Sequence, residues 1–347
     1  MFMKTAILGC GAIGTVMGAV MTQNGCPVEM IARNEAHVKA MNENGARVVG
    51  TMDITVPVTA ILPAQMSGIY DVVFILTKQN SNAESLPKLL PYLDNNSVVC
   101  TLQNGVPEPG VAKIVGRERV AGGTVLFSAN LEGPGVSRLT QKLENIEHRF
   151  HIGEMSGGDT PRIRMIAELL EFMGPTLITT NLMEARWGKL VHNACISGMT
   201  AVTGVNSHDV IENPKARACL SYLGHEVKTC CEAEGFLMPT LMFGTSPHTF
   251  DIKDQAMYEE NQKMFIDLRR QMMPTKSSML RDIEKGIDTE VAGINGYVSE
   301  VGLIHGIPTP FNDTVVEIVQ RAVRGELRPS PDNLRFFKDE WFAYKIA

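Results

Sequence analysis

A chain of 347 residues is longer than one small core needs and suits two domains. Hydrophobic residues make up 44% and charged residues 20%, with a net charge of -6, which argues for a globular protein and against a nucleic-acid partner. No apolar run reaches the roughly 18 residues of a membrane span, and the N-terminal apolar stretch breaks at once into glycines, so neither a membrane partner nor a signal peptide is expected.

In chain order, the continuous apolar run Thr5–Leu8 predicts a buried strand, and Ala12–Gln23 a helix that Gly25 ends. Val28–Ala32 predicts a second strand and Glu35–Asn44 a second helix, with Gly45 behind it. Asp71–Leu76 and Ser97–Thr101 follow as strands, separated by a helical stretch over Asn80–Leu90 that stops at Pro91. Strands alternating with helices predict a parallel sheet covered on both faces. Ala46–Thr59 and Val120–Ile152 carry β character and turns such as Gly133-Pro134-Gly135, and are expected as antiparallel additions at the sheet edge.

The pattern changes near Thr179. Helical segments run over Glu184–Ala201, Pro214–Glu234, Asp254–Gln271, Ser277–Lys285, Glu290–His305 and Asn312–Arg324. The expectation is an α/β domain over 1–180 and an all-α domain over 181–347. The seven cysteines are odd in number and include no C-x-x-C pair, and the histidines do not cluster with them. Reduced, buried cysteines in a cytoplasmic protein are expected, with no metal site. Nothing in the residues fixes the oligomeric state, and a homodimer is left open.

The segment Gly9-Cys10-Gly11-Ala12-Ile13-Gly14 joins a predicted strand to a predicted helix. In this context the first glycine permits the tight turn and the second lets backbone approach a pyrophosphate. The third lets helix and strand pack closely. The helix start then offers N–H groups to phosphates. A Rossmann-type dinucleotide site is the reading. At the end of the second strand, where an NAD site usually carries an acid, stands Arg33. A guanidinium suits a 2′-phosphate, which favours NADPH; the alternative is a solvated Arg33 with Glu35 reaching the ribose. The strand ends Thr77-Lys78-Gln79 and Gln103-Asn104-Gly105 are further candidates, as ligands in such folds sit beyond the carboxyl ends of the strands.

GCGAIG at 9–14, ARN at 32–34, TK at 77–78, QNG at 103–105, WGKLVHNA at 187–194 and SSMLRDIEKGIDTEVAGINGYV at 277–298 occur in that order. Together they resemble the ketopantoate reductases (2-dehydropantoate 2-reductases), within the 6-phosphogluconate-dehydrogenase-like group. The resemblance spans nearly the whole chain. It implies an NADPH-binding Rossmann domain, a helical substrate domain, an active site in the cleft between them, and reduction of a small 2-oxo acid. It places the general acid on Lys189, with Asn193, Ser278 and Glu290 beside it. The cofactor contacts fall on Arg33, Lys78 and Asn104. Lys189, Asn193 and Ser197 recur every four residues and are expected on one helix face; Thr275, Ser278 and Asp282 have the spacing of a second polar face. The chain departs from the family pattern where it has Ser197, Ser207 and Thr275 in place of asparagines, with Asn206 a candidate to compensate. A hydroxyl reaches less far than an amide and offers fewer donors. Phe236–Lys276 reads as an insertion, a flap or an oligomer contact.

Overall fold

The computed structural model describes residues 3–241, 244–271 and 273–344. The chain divides into two compact units, Met1–Leu182 and Met183–Ala347. The first unit begins β1 (Thr5–Leu8), α1 (Ala12–Gln23), β2 (Glu29–Ile31), α2 (Glu35–Asn44), β3 (Ala46–Gly50), β4 (Ile54–Val56) and β5 (Thr59–Ile61). It continues β6 (Val72–Ile75), α3 (Asn82–Leu89), β7 (Val98–Thr101), α4 (Glu108–Val115) and β8 (Val120–Val125). Then come β9 (Ala129–Gly133), β10 (Val136–Leu139), β11 (Phe150–Glu154), α5 (Pro161–Glu171) and β12 (Thr176–Ile178).

Eight strands form the main sheet in the order β12-β11-β8-β7-β6-β1-β2-β5. Every neighbouring pair is parallel except β11 with β8. Strand periodicity splits the apolar residues between two cores. Ile7, Val72, Phe74 and Cys100 face one side, while Ala6, Leu8, Val73 and Val99 face the other. Burial on both faces explains why these strands appear in the sequence as unbroken apolar runs.

The two segments expected as antiparallel edge additions differ from that expectation. Only β11 joins the main sheet antiparallel to its neighbour, and β5 joins it parallel. β3, β4, β9 and β10 build a separate sheet, β4-β3-β10-β9, in which β10 runs parallel to β3. α1 packs on both this small sheet and strands of the main one. All residues from Gly14 to Met21 are therefore buried. A helix covered from both sides needs no polar stripe.

The second unit contains α6 (Leu182–His192), a π turn (Asn193–Ser197), α7 (Gly198–Thr203), α8 (Ser207–Glu212) and α9 (Pro214–Ala233). α10 (Gln255–Gln271), α11 (Ser278–Glu284), α12 (Asn295–His305) and α13 (Pro310–Val323) follow. Its described residues include no strand. Caps set these helices. Asn213 accepts from Ala216 N–H ahead of Pro214 in α9, Ser277 accepts from Leu280 N–H in α11, and Gly204 at φ 73 stops α7. The helix expected from Glu290 starts later, at Asn295, because a single 3₁₀ turn over Val291–Gly293 intervenes. No helix among the described residues is long and apolar enough to cross a membrane.

The stretch read as an insertion is anchored at Phe250. Its ring is buried, lies edge-on to Phe265, and fills the space above Gly224 that a Cβ would occupy. Met242, Phe243 and Met272 lie outside the described residues. A polar chain runs through the helical core. The Glu226 carboxylate accepts from Phe311 N–H and Asn312 N–H, each at 2.9 Å, and from Asn312 Nδ2 at 2.7 Å. Asn295 Nδ2 donates to Asn312 Oδ1 at 2.8 Å and to the Ala194 carbonyl in the π turn at 3.1 Å.

Candidate functional site

In the first unit, β1, β6 and β7 are parallel neighbours, so their carboxyl ends share one edge of the sheet. The glycine turn, Thr77–Lys78 and Gln103–Asn104 follow those ends. Gly9 has φ +104, and a Cβ there would stand 2.3 Å from Thr77 N. No side chain fits. A Cβ on Gly14 would meet the Gly9 carbonyl at 2.8 Å, so this glycine sets the approach of helix to turn. Gly11 is exposed, with open space where its Cβ would be.

Gly11 is the N-cap of α1, and no side chain caps the helix start. Uncapped N–H groups behind an open glycine turn fit an anionic pyrophosphate. Cys10 contributes backbone. Its thiol is buried, donates to the Ile7 carbonyl at 3.4 Å, and has its pKa raised by burial. Ala12 and Ile13 form the partly exposed first turn.

Sequence reading missed the braces of this turn. Gly135 N–H donates to His37 Nδ1 at 2.9 Å, so His37 carries its proton on Nε2. Nε2 lies 3.1 Å from Thr15 Oγ1, which donates to the Gly11 carbonyl at 2.7 Å. Burial lowers the His37 pKa and keeps the ring neutral. The GPG turn between β9 and β10 thereby holds the glycine turn in place. A second brace is Gln103. It donates to the Thr77 carbonyl at 2.7 Å and to Asn82 Oδ1 at 2.7 Å. Gln79 donates to the Asn104 carbonyl at 2.5 Å. Lys78 and Asn104 are thus carried on two turns tied to each other, and both remain partly exposed.

Arg33 stands at the end of β2 with its side chain 72% exposed, and Asn34 beside it caps α2. Arg33 and Glu35 both line one cleft, so the two alternatives for the ribose end share a single location.

In the second unit, Lys189 lies on α6, and Asn193 and Ser197 lie in the π turn. The expected uninterrupted α-helix is corrected here. Four α-helical residues overshoot one turn by about 40°, whereas four residues of a wider π turn fall short of one. The π turn therefore turns back the drift from Lys189 to Asn193 and keeps Ser197 near their line. Burial draws the Lys189 ammonium pKa down to about 8; the Arg186 charge pushes the same way, and the Glu290 carboxylate opposes both. Glu290 sits at the start of the 3₁₀ turn before α12, partly exposed, and close enough to couple to Lys189. Arg186, three residues before Lys189 and 1% exposed, was missed; the i, i+3 spacing of two cations on a helix was the available signal. His192 feels the same environment, its pKa lowered to about 4 by burial and by the Lys189 charge.

The hydroxyl candidates divide. Ser278 opens α11 with its side chain exposed, while its neighbour Ser277 caps the helix. Ser277 Oγ also donates to the Ser197 carbonyl at 3.2 Å and accepts from Thr200 Oγ1 at 2.6 Å. Ser277 therefore ties α11 to the π turn. Thr275 precedes the helix, so the expected second polar face does not extend back to it. Ser207 is fully buried. Its hydroxyl accepts from Thr275 N–H at 3.2 Å, and its own N–H donates to the Thr275 carbonyl at 2.9 Å. In this structure Ser207 fixes the position of Thr275 and presents no open hydroxyl. Asn206, the candidate to compensate, has its side-chain oxygen engaged as the cap of α8, accepting from His208 and Asp209 N–H. Among the described residues no group of three or more His, Cys, Asp or Glu is arranged to hold a metal, and all seven cysteines are buried and none forms a disulfide.

Comparison with known proteins matches residues 5–157 to the family "Ketopantoate reductase PanE/ApbA" and residues 181–323 to "Ketopantoate reductase PanE/ApbA C terminal". A 2-dehydropantoate 2-reductase of Mesorhizobium japonicum is 26% identical, over 92% of this chain and 97% of its own. Among solved structures, a PanE/ApbA family ketopantoate reductase from Ralstonia eutropha JMP134 is similar at TM-score 0.78 and 23% identity, covering 93% of this chain and 99% of that one. A D-mandelate dehydrogenase bound to NADH and anilino(oxo)acetate is similar at TM-score 0.77 and 21% identity, with the same coverage. With both family models matched in order across the glycine turn and the Lys189 helix, this chain belongs to the ketopantoate reductase family.

Proposed function

We propose that the protein reduces 2-dehydropantoate to pantoate with NADPH, that residues 1–180 bind the dinucleotide, and that Lys189 is the general acid. The observation that carries this reading is the match of residues 5–157 and 181–323 to the ketopantoate reductase family; the role of Lys189 is supported by its place beside Glu290 and by a pKa drawn down to about 8. An acid with a pKa near the working pH is protonated before transfer and gives the proton up readily. NADPH would be held by Gly9, Gly11 and Gly14 with Lys78 and Asn104, by Arg33 at its 2′-phosphate, and would supply the hydride. As negative charge grows on the substrate's carbonyl oxygen, the Lys189 ammonium stabilises it and donates its proton. Glu290 favours the charged form of the lysine, and Asn193 and Ser278 offer polar groups for the carboxylate and distal hydroxyl. This reading places the protein in the cytoplasm.

A second substrate is favoured by one observation. The buried Ser207 is occupied by Thr275 backbone, where the family pattern has amides. That change supports a different 2-oxo acid on the same machinery, and one relative of similar fold is a D-mandelate dehydrogenase. The test is NADPH oxidation by the purified protein against ketopantoate and a panel of branched and aromatic 2-oxo acids. Ketopantoate should give the highest kcat/KM. A higher value for an aromatic 2-oxo acid would move the substrate and keep the chemistry, and no turnover with any of them would overturn the reductase reading.

Arg186 is a positioning residue whose effect should appear in the pH profile. Reduction requires protonated Lys189, so activity should fall as pH rises through about 8. Arg186→Gln removes a like charge and should move that descending limb to higher pH. An unmoved limb with merely lower activity would make Arg186 structural only.

A further inference from the structure

Arg33 and Glu35 open onto a cleft of about 550 Å³ in the first unit, with Leu62, Pro63, Lys88 and Tyr92 as other walls. Two cations, Arg33 and Lys88, meet there. Between them stands a carboxylate outside the family motifs. Glu84, in the first turn of α3, lies 2.7 Å from Lys88 Nζ through one oxygen and 3.9 Å from Arg33 Nη1 through the other. All three side chains are more than half exposed. Glu84 and Lys88 are four residues apart on one helix face, so their pairing is built into α3.

We propose that Glu84 is a specificity-determining residue, an internal anion that competes with the cofactor's 2′-phosphate for Arg33 and Lys88. This rests on the reading that Arg33 marks the adenosine end of the dinucleotide. A 2′-phosphate carries up to two negative charges and would need the cations that Glu84 holds. Its approach is opposed by the carboxylate and requires Glu84 to surrender one or both partners. A free ribose 2′-hydroxyl meets no such repulsion and can donate to Glu84. The carboxylate thus lowers preference for the phosphorylated cofactor below what two cations alone would confer. Lys88 follows as a second 2′-phosphate ligand. The interaction is exposed and should be screened by salt.

The test is titration of the full chain with NADPH and with NADH at low ionic strength, for wild type and for Glu84→Gln, Lys88→Ala and Arg33→Ala. Glu84→Gln should tighten NADPH about three- to tenfold while NADH stays equal or weakens, so the preference ratio rises; the gain should shrink in 0.5 M salt. Lys88→Ala should weaken NADPH more than NADH. A ratio within twofold of wild type in Glu84→Gln, or weaker NADPH binding, would overturn the proposal. If Arg33→Ala leaves the ratio unchanged, or wild type binds neither nucleotide, the assignment of the adenosine end fails instead. Glu84 is on the helix surface, and unchanged thermal unfolding of Glu84→Gln confirms that the fold is not the cause.

Discussion

Replacing Lys189 by Ala should lower turnover by about 10²-fold or more while NADPH affinity stays within a few-fold of wild type. The ammonium is suited both to stabilise a developing alkoxide and to protonate it. A guanidinium is no proton donor in a protein, and that of Arg186 is buried, so it cannot take over proton transfer. His192, with its pKa lowered to about 4, is neutral at working pH and cannot supply the charge. The loss should therefore be in kcat, with the descending limb near pH 8 absent from what activity remains. An external primary amine should restore part of the rate, because the cavity left by the side chain retains Glu290 to orient it. Turnover within threefold of wild type would remove Lys189 from the mechanism, and a loss confined to KM would make it a binding residue only.

Much of the local structure around this candidate site was legible because its signals are local. Gly9 and Gly14 are dictated by contacts of 2.3 and 2.8 Å with backbone, and only glycine satisfies them. The strands β1, β6 and β7 are apolar throughout because both faces are buried, and α1 and α2 match their expected bounds. What failed was non-local. The parallel pairing of β10 with β3 joins segments about 90 residues apart, and no periodicity within either segment encodes it. The π turn was hidden for a related reason. Its sequence, NACIS, is compatible with an α-helix, and the departure is supported from outside by Asn295, which donates to the Ala194 carbonyl. That Ser207 is buried and engaged by Thr275 backbone was not legible, because an exposed hydroxyl and one occupied by backbone look the same in sequence. Glu84 escaped notice because an exposed glutamate four residues before a lysine is an ordinary helix pair until Arg33 is placed beside it.

Glu226→Ala should destabilise the protein by about 3 kcal/mol or more, although the residue lies in no site proposed above. Its carboxylate serves Phe311 N–H, Asn312 N–H and Asn312 Nδ2, and both partner residues are at most 2% exposed. Removal leaves buried donors at the N-terminus of α13 without their acceptor, each at a cost of about 1–3 kcal/mol. It also frees Asn312, on which Asn295 and through it the π turn lean. Glu226→Gln keeps the shape and one acceptor oxygen and should lose less. The pH dependence separates the charge from the packing. Burial pushes the Glu226 carboxyl up to about 8, against the pull of the three donors. The folded state then holds this proton more tightly than the unfolded state, whose carboxyl titrates near 4.3. Its contribution to stability is full below that value, declines as pH rises toward about 8, and is level above. Urea unfolding from pH 5 to 9 should show that decline in wild type and a flatter profile in Glu226→Gln. Identical slopes in the two proteins would mean that Glu226 is ionised throughout, held by its donors more strongly than burial opposes it. A loss below 1 kcal/mol in Glu226→Ala would mean that α13 finds another cap.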